Sequence, residues 1–289
     1  MATRIINQAT LNYTSGTSNV STSSNTASIT MQGPLEITKD SLETGYKINE
    51  RITYNVFLTN TSASTLTGIT IIDNLGTHEL AAARSITPLT YTGPAKVFVD
   101  HTSSAAIAGT VSVNKDFVTF NYDSLAPGST IMLQYTVKVN EYAEAVIGTS
   151  QITNLASATA TGVNTPVTAT HTLPLASYAD VLIEKSMSPD PVVDGSILTY
   201  TFDISNFGTI DATEVSLRDS FNPSPEISSV IVDNTTTTDY THIGGLFLYP
   251  GSESTYNYTI PKATFTKDAA TGLVSVVPGK SSITVKGII

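Results

Sequence analysis

The chain of 289 residues contains no cysteine and no tryptophan. Without thiols there is no disulfide, no thiolate nucleophile and no cysteine-ligated metal, so covalent reinforcement must use other side chains. Basic residues are scarce: 14 Lys and Arg stand against 24 Asp and Glu, a net charge of -10 at pH 7. Such a field repels phosphate backbones and no basic stripe offsets it, which argues against a nucleic-acid partner. Every apolar run is shorter than a membrane span, so none is expected. The four histidines, His78, His101, His171 and His242, have no metal-ligand spacing, and no phosphate loop or nucleophile elbow is present. No enzyme activity, cofactor or metal is therefore expected. The opening Met-Ala-Thr-Arg-Ile-Ile-Asn lacks the regions of a signal peptide. That leaves either a processed start or release by another route, such as lysis of a mother cell around a spore.

What is abundant is threonine, serine, valine and tyrosine in alternating runs, which predicts an all-β protein. Leu35 to Lys39, Ile52 to Asn60, Ile69 to Asp73 and Ile131 to Val139 each read as a strand bounded by turn residues. After Leu173-Pro-Leu175 the pattern restarts. Lys39 and Lys185, Tyr54 and Tyr200, Asn60 and Asn206, and Asp73 and Asp219 all stand 146 residues apart. A constant offset over four landmarks is a tandem repeat at domain scale. It predicts two β-sandwiches, 34–174 and 175–289, after an N-terminal segment, 1–33.

The first segment contains a displaced strand. Arg4 to Thr14 alternates as Gln151 to Thr161 does, with Asn7 in the place of Asn154. Ile5, Asn7, Ala9, Leu11 and Tyr13 share one face. Ser15 to Asn25 reads as a turn and Ala27 to Met31 as a second strand, a hairpin too small to be stable alone. At the far end, Pro278-Gly279 and the strand after it match Pro127-Gly128, which would leave the second sandwich without its Ile-Thr-Asn strand. Matching Pro250-Gly251 instead would leave enough chain to finish it. The spacing from Asp219 favours the first alignment.

Lys in a first strand, Thr-Tyr and Asn around a second, a closing Asp, Pro-Gly before a late strand and Ile-Thr-Asn-x-Ala resemble the repeat of bacterial surface proteins known as domain of unknown function eleven. The resemblance covers nearly all of 35–289. It implies immunoglobulin-like sandwiches arrayed on bacterial walls, stalks or fibres, some of them similar to pilins and adhesins with Lys-Asn isopeptide bonds.

The residues themselves point to the same chemistry. Lys39 continues the stripe of Leu35 and Ile37, Asp73 that of Ile69 and Ile71, and Asn154 that of Ile152 and Ala156. Three polar groups on apolar faces demand a joint explanation, since a buried charge costs several kcal/mol unless paired. Desolvation lowers a lysine pKa and raises that of a carboxylic acid, which fits an amine nucleophile attacking an asparagine carboxamide polarised by the acid. A buried Lys-Asp ion pair, or solvated faces, is the plainer reading. In the second repeat Lys185 and Asp219 lack their asparagine, and Asn7 is the unassigned one. The expectation is a head-to-tail homopolymer, an extracellular fibre on a bacterial cell or spore surface, built by donation of the first strand to the next copy. Its rivals are a ribbon folded back on its own chain and a monomeric adhesin with two self-contained sandwiches.

Overall fold

A computed structural model describes residues 3–31, 33–81, 84–100, 102–104, 111–251 and 258–289. The protein is all-β, with two tandem immunoglobulin-like sandwiches behind an N-terminal ribbon. In the ribbon, β1 (Thr3–Asn7) pairs antiparallel with β4 (Ala27–Met31), and β2 (Thr10–Ser15) with β3 (Ser18–Ser23). The ribbon departs from the pattern expected of its sequence in two places. Ser15 to Asn25 is not one loop: the chain reverses at Gly16, whose φ of +61° suits a tight turn, and the Thr- and Val-bearing segment beyond it forms β3. Ile5 to Tyr13 is not one unbroken strand either. Ser24 Oγ accepts from the Ala9 N–H at 3.0 Å, and this side-chain bond interrupts the ladder at Gln8-Ala9.

The first sandwich faces two sheets across one core. One runs in the order β12 (Thr102–Ser104), β11 (Lys96–Val99), β15 (Thr130–Val139), β6 (Arg51–Asn60), β5 (Leu35–Ser41), with β10 (Leu89–Tyr91) also on β15. The other runs β13 (Val111–Val113), β14 (Val118–Leu125), β7 (Leu66–Asp73), β16 (Gln151–Thr159), β17 (Val167–Pro174). A small hairpin, β8 (His78–Ala81) and β9 (Arg84–Ile86), lies outside both. Period-2 burial makes the core, with Tyr54, Val56, Leu58, Ile69, Ile71, Leu133, Tyr135, Ile152 and Ala156 inside. The strand bearing Asn154 does not close this sandwich, as the sequence suggested. It turns back into β17, which covers the core-facing side of β5.

In the second sandwich one sheet runs β18 (Val181–Ser188), β19 (Ile197–Asn206), β29 (Gly279–Ile288), β22 (Glu226–Val232), β23 (Thr235–Thr237). Facing it, β20 (Ala212–Val215) pairs with β26 (Tyr258–Ile260), and β21 (Leu217–Ser220) with β25 (Leu246–Tyr249), which also carries β24 (Thr241–Ile243). Tyr200 pairs with Val285 where Tyr54 pairs with Tyr135, so β29 holds the place of β15, and Pro250-Gly251 instead follows β25. Between β26 and β29 lies an extra hairpin, β27 (Thr264–Lys267) and β28 (Val274–Val277), which reaches the first sandwich through Lys267 to Glu144 and through the Val274 N–H to the Glu141 carbonyl at 2.7 Å.

The two sheets that carry the aspartates differ at one edge. β7 has β14 on one side and β16 on the other, whereas among the described residues β21 pairs with β25 alone and β20 with β26 alone. An open backbone edge beside apolar side chains is a template for another strand.

Candidate functional site

Lys39, Asp73 and Asn154 arrive on β5, β7 and β16, drawn from both sheets of the first sandwich. Strand alternation aims all three inward because Leu35 and Ile37, Ile69 and Ile71, and Ile152 and Ala156 define the buried faces. Lys39 Nζ and the Tyr135 hydroxyl both donate to Asp73 Oδ2, and the Leu75 N–H donates to Oδ1 at 2.9 Å. The ammonium also lies 4.6 Å from the Tyr54 ring centroid. Burial lowers the Lys39 pKa, and Asp73 opposes the shift. Burial likewise pushes the Tyr135 and Tyr54 phenols upward, Asp73 adding to both, while the Asn154 carboxamide beside them pulls the other way.

Asn154 Oδ1 accepts the Gly76 N–H at 3.3 Å, and Nδ2 has no hydrogen-bond partner. Among the described residues Nδ2 and the Tyr54 hydroxyl are the two buried side-chain atoms left without one, an arrangement that costs about 1–3 kcal/mol each. Gly76 stands at φ +72°, where a Cβ would lie 3.0 Å from Ile152 Cγ2 and 3.1 Å from Pro88 Cγ. Tyr54, Tyr135 and Gly76 are parts of this site that the sequence reading did not assign. The tyrosines were legible only as core aromatics, although Tyr54 belongs to a pair of tyrosines one repeat apart.

The second site keeps the ion pair and loses the enclosure. Lys185 Nζ meets Asp219 Oδ2 at 2.5 Å, but their side chains are 38% and 18% exposed, against 0% for both Lys39 and Asp73. Tyr200, Phe202 and Phe221 surround the ammonium at 5.3–5.5 Å. Ile183, the counterpart of Ile37, is 49% exposed where Ile37 is 9%, and Val181 is 46% where Leu35 is 4%. Asn7 is not brought to this site within the chain: it pairs with Ala27 in the ribbon, whose Ile5, Leu11, Tyr13 and Ile29 face solvent. Of the histidines, His171 stacks edge-on against Tyr54 and bonds Ser41, His78 bonds the Gly76 carbonyl, His242 bonds Ser224, and His101 is outside the described residues.

A profile of the translocon-associated protein beta family matches residues 167–264, about a third of the chain, and so differs from the surface-repeat family that the sequence resembles. Comparison with curated protein sequences gives no match. Among solved structures the chain is similar to BcpA, the major pilin subunit of Bacillus cereus, at 14% identity, with 87% of this chain and 66% of that one covered and a TM-score of 0.39. It is also similar to SpaD, the full-length major pilin of Corynebacterium diphtheriae, at 11% identity, 84% and 59% coverage and a TM-score of 0.37. A third is the C-terminal fragment of a Streptococcus agalactiae major pilin, at 13% identity, 88% and 79% coverage and a TM-score of 0.38. The chain thus spans less than two thirds of the first and second of these proteins. At such identities the likeness concerns the fold alone.

Proposed function

We propose that the chain is a structural subunit, not an enzyme, of an extracellular fibre on the surface of a bacterial cell or spore, assembled head to tail. The ribbon of one copy adds to the open edge of β20 and β21 in the next, in the place that β16 takes beside β7. The observation that carries this reading is the contrast between Ile37, buried, and Ile183, half exposed at the equivalent position. Among the described residues the acceptor face is built as a core without a cover, and the ribbon holds apolar side chains without a core. Burying Ile5, Leu11 and Tyr13 at roughly 1.5–3 kcal/mol each gives a contact on the order of 5–9 kcal/mol before ordering costs. Because donor and acceptor lie at different ends, the contact is heterologous and propagates.

Covalent locking belongs to the same proposal. The Lys39 amine attacks Asn154 Cγ, a Nζ–Cγ bond forms, the Cγ–Nδ2 bond breaks, and Asp73 carries the proton from Nζ to the departing ammonia. Gly76 N–H already points at the oxygen on which charge develops. The reaction ejects Nδ2, the unpartnered buried atom, and replaces a buried charge with a neutral amide. Asn7 of an incoming copy would meet Lys185 and Asp219 in the same way.

Denaturing electrophoresis with electron microscopy tests the reading. A heat-resistant ladder and filaments are the expected result, with Asn7→Ala removing the ladder and Asn154→Ala leaving it intact. A single monomer band without filaments would favour a binding module with two separate sandwiches, and equal ladders from both variants would sink the assignment of the crosslinks.

A further inference from the structure

The first sandwich has a second closure, away from the Lys-Asp-Asn site. Its loop between β5 and β6 clasps the chain leaving β17: the Tyr46 N–H donates to the Pro174 carbonyl at 2.9 Å, and the Ala176 N–H donates to the Tyr46 carbonyl at 2.9 Å. Tyr46 and Leu175 thereby form a parallel bridge, and both are buried. The loop between β18 and β19 enters differently, with cis peptide bonds at Ser188-Pro189 and Asp190-Pro191, but its last residues match those of this loop and have no strand paired to them among the described residues. Asn49, at φ +65°, corresponds to Gly195, at φ +79°, 146 residues on. The Val139 N–H bonds the Glu50 carbonyl at 2.9 Å, as the Ile289 N–H bonds Ser196 at 3.2 Å.

By the same offset Tyr46 corresponds to Val192, and Leu175 to Ile29. The linkers confirm that the offset extends this far: the Thr61 N–H bonds the Pro34 carbonyl as the Phe207 N–H bonds that of Asp180. Where Tyr46 and Leu175 are 1% and 7% exposed, Val192 is 37% and Ile29 is 66%. Two aliphatic side chains thus face solvent at the two positions that meet in the first sandwich.

We infer that a second copy of this chain is latched at the loop 189–196, its residues 28–30 pairing with Val192 as 174–176 pair with Tyr46. The latch rests on the donor reading above and adds a contact to it, one that grips the root of the ribbon and not the strand in the slot. Forming it moves the partner of Ile29 in the ribbon from Ile5 towards Thr3: Leu175 sits opposite Ser150 in the first sandwich, bonding its carbonyl at 3.0 Å, and Ser150 matches Thr3 by the 147-residue offset that relates Asn154 to Asn7. A shift of two residues keeps every side chain on its own face.

The absence of cysteine makes the test clean. Bridge partners lie within the Cα separation that a disulfide spans. The full chain carrying Ile29→Cys and Val192→Cys is assembled under mild oxidation, beside a control carrying Ile29→Cys and Thr235→Cys, Thr235 lying on the far edge strand β23. Asn7→Ala is added to both, so that any covalent ladder reports the disulfide. The latch predicts a ladder that dithiothreitol abolishes in the first protein and at least tenfold less of it in the control. Filaments without that ladder would overturn the latch and leave the donor reading standing. Neither filaments nor ladder would overturn both.

Discussion

Ile37 and Ile183 stand one repeat apart on equivalent strands, each two residues before the lysine of an ion pair, yet one is packed in a core and the other is half in water. The difference is the β16–β17 hairpin, which lies over the first position and has no counterpart over the second among the described residues.

The contrast predicts unequal costs for one substitution. Ile37→Asp buries an unpaired carboxylate and should destabilise the first sandwich by about 3–5 kcal/mol. Ile183→Asp should change the stability of the unassembled chain by no more than about 0.5 kcal/mol, as surface changes do. The same change should abolish filaments. Urea denaturation at low protein concentration, with electron microscopy of the same samples, checks both halves.

Tyr135 orients Asp73 by donating to the oxygen that Lys39 also touches. Tyr135→Phe should cost about 1.5–3 kcal/mol in an Asn154→Ala background, where no internal crosslink forms, since the lost bond is to a charged group. With Asn154 present, the loss of one ammonia from the intact mass should proceed more slowly than in the parent. Mass spectrometry during refolding follows it directly.

The lowered Lys39 pKa gives a pH dependence of definite sign. The unfolded chain binds the lysine proton up to its ordinary pKa of 10.5, and the folded chain releases it earlier because of burial. The unfolded state therefore holds more protons in the window between the lowered value and 10.5, and stability rises with pH across it. In the Asn154→Ala background, the stability of the chain relative to a Lys39→Met, Asp73→Asn variant should grow with pH through that window. Buried Tyr54 and Tyr135, whose phenols are shifted upward, oppose the trend as unfolded tyrosines ionise near pH 10, but desolvation, the larger cause, acts in both proteins, so only the part due to Asp73 remains in the difference. A difference that falls with pH would contradict the desolvated-lysine account.

Much of this was legible in the sequence because strand alternation is a strong local signal. The 146-residue offset identified equivalent strands, and the inward stripes ending at Lys39 and Asp73 and the one through Asn154 led to the buried cluster. What escaped depends on partners distant in the chain. β17 alternates Val167, Ala169, His171 and Leu173, too mixed a stripe to announce an inner face before β16 and β5 are known to flank it. The break at Gln8-Ala9 comes from one serine side chain. Gly76 looks like a turn glycine until Asn154, 78 residues later, is seen to accept from its backbone. The hairpin of β27 and β28 is an insertion of the second repeat alone, so comparing repeats could not foresee it.

The arrangement also separates the two lysine-aspartate sites chemically. Val285 occupies the register position of Tyr135, so among the described residues no phenol donates to Asp219, and Lys185 keeps access to water. Lys185 should accordingly acetylate readily in the unassembled chain and become protected on assembly, whereas Lys39 should resist in both states; peptide mapping after brief treatment with acetic anhydride measures this.

The most direct measurement is electron cryomicroscopy of the fibres at a resolution that traces the backbone. The account predicts residues 9–12 of one copy lying along 216–219 of its neighbour, as 156–159 lie along 70–73, with Asn7 facing Lys185 and Asp219. A ribbon packed on its own chain, or a slot filled by any other segment, would contradict it.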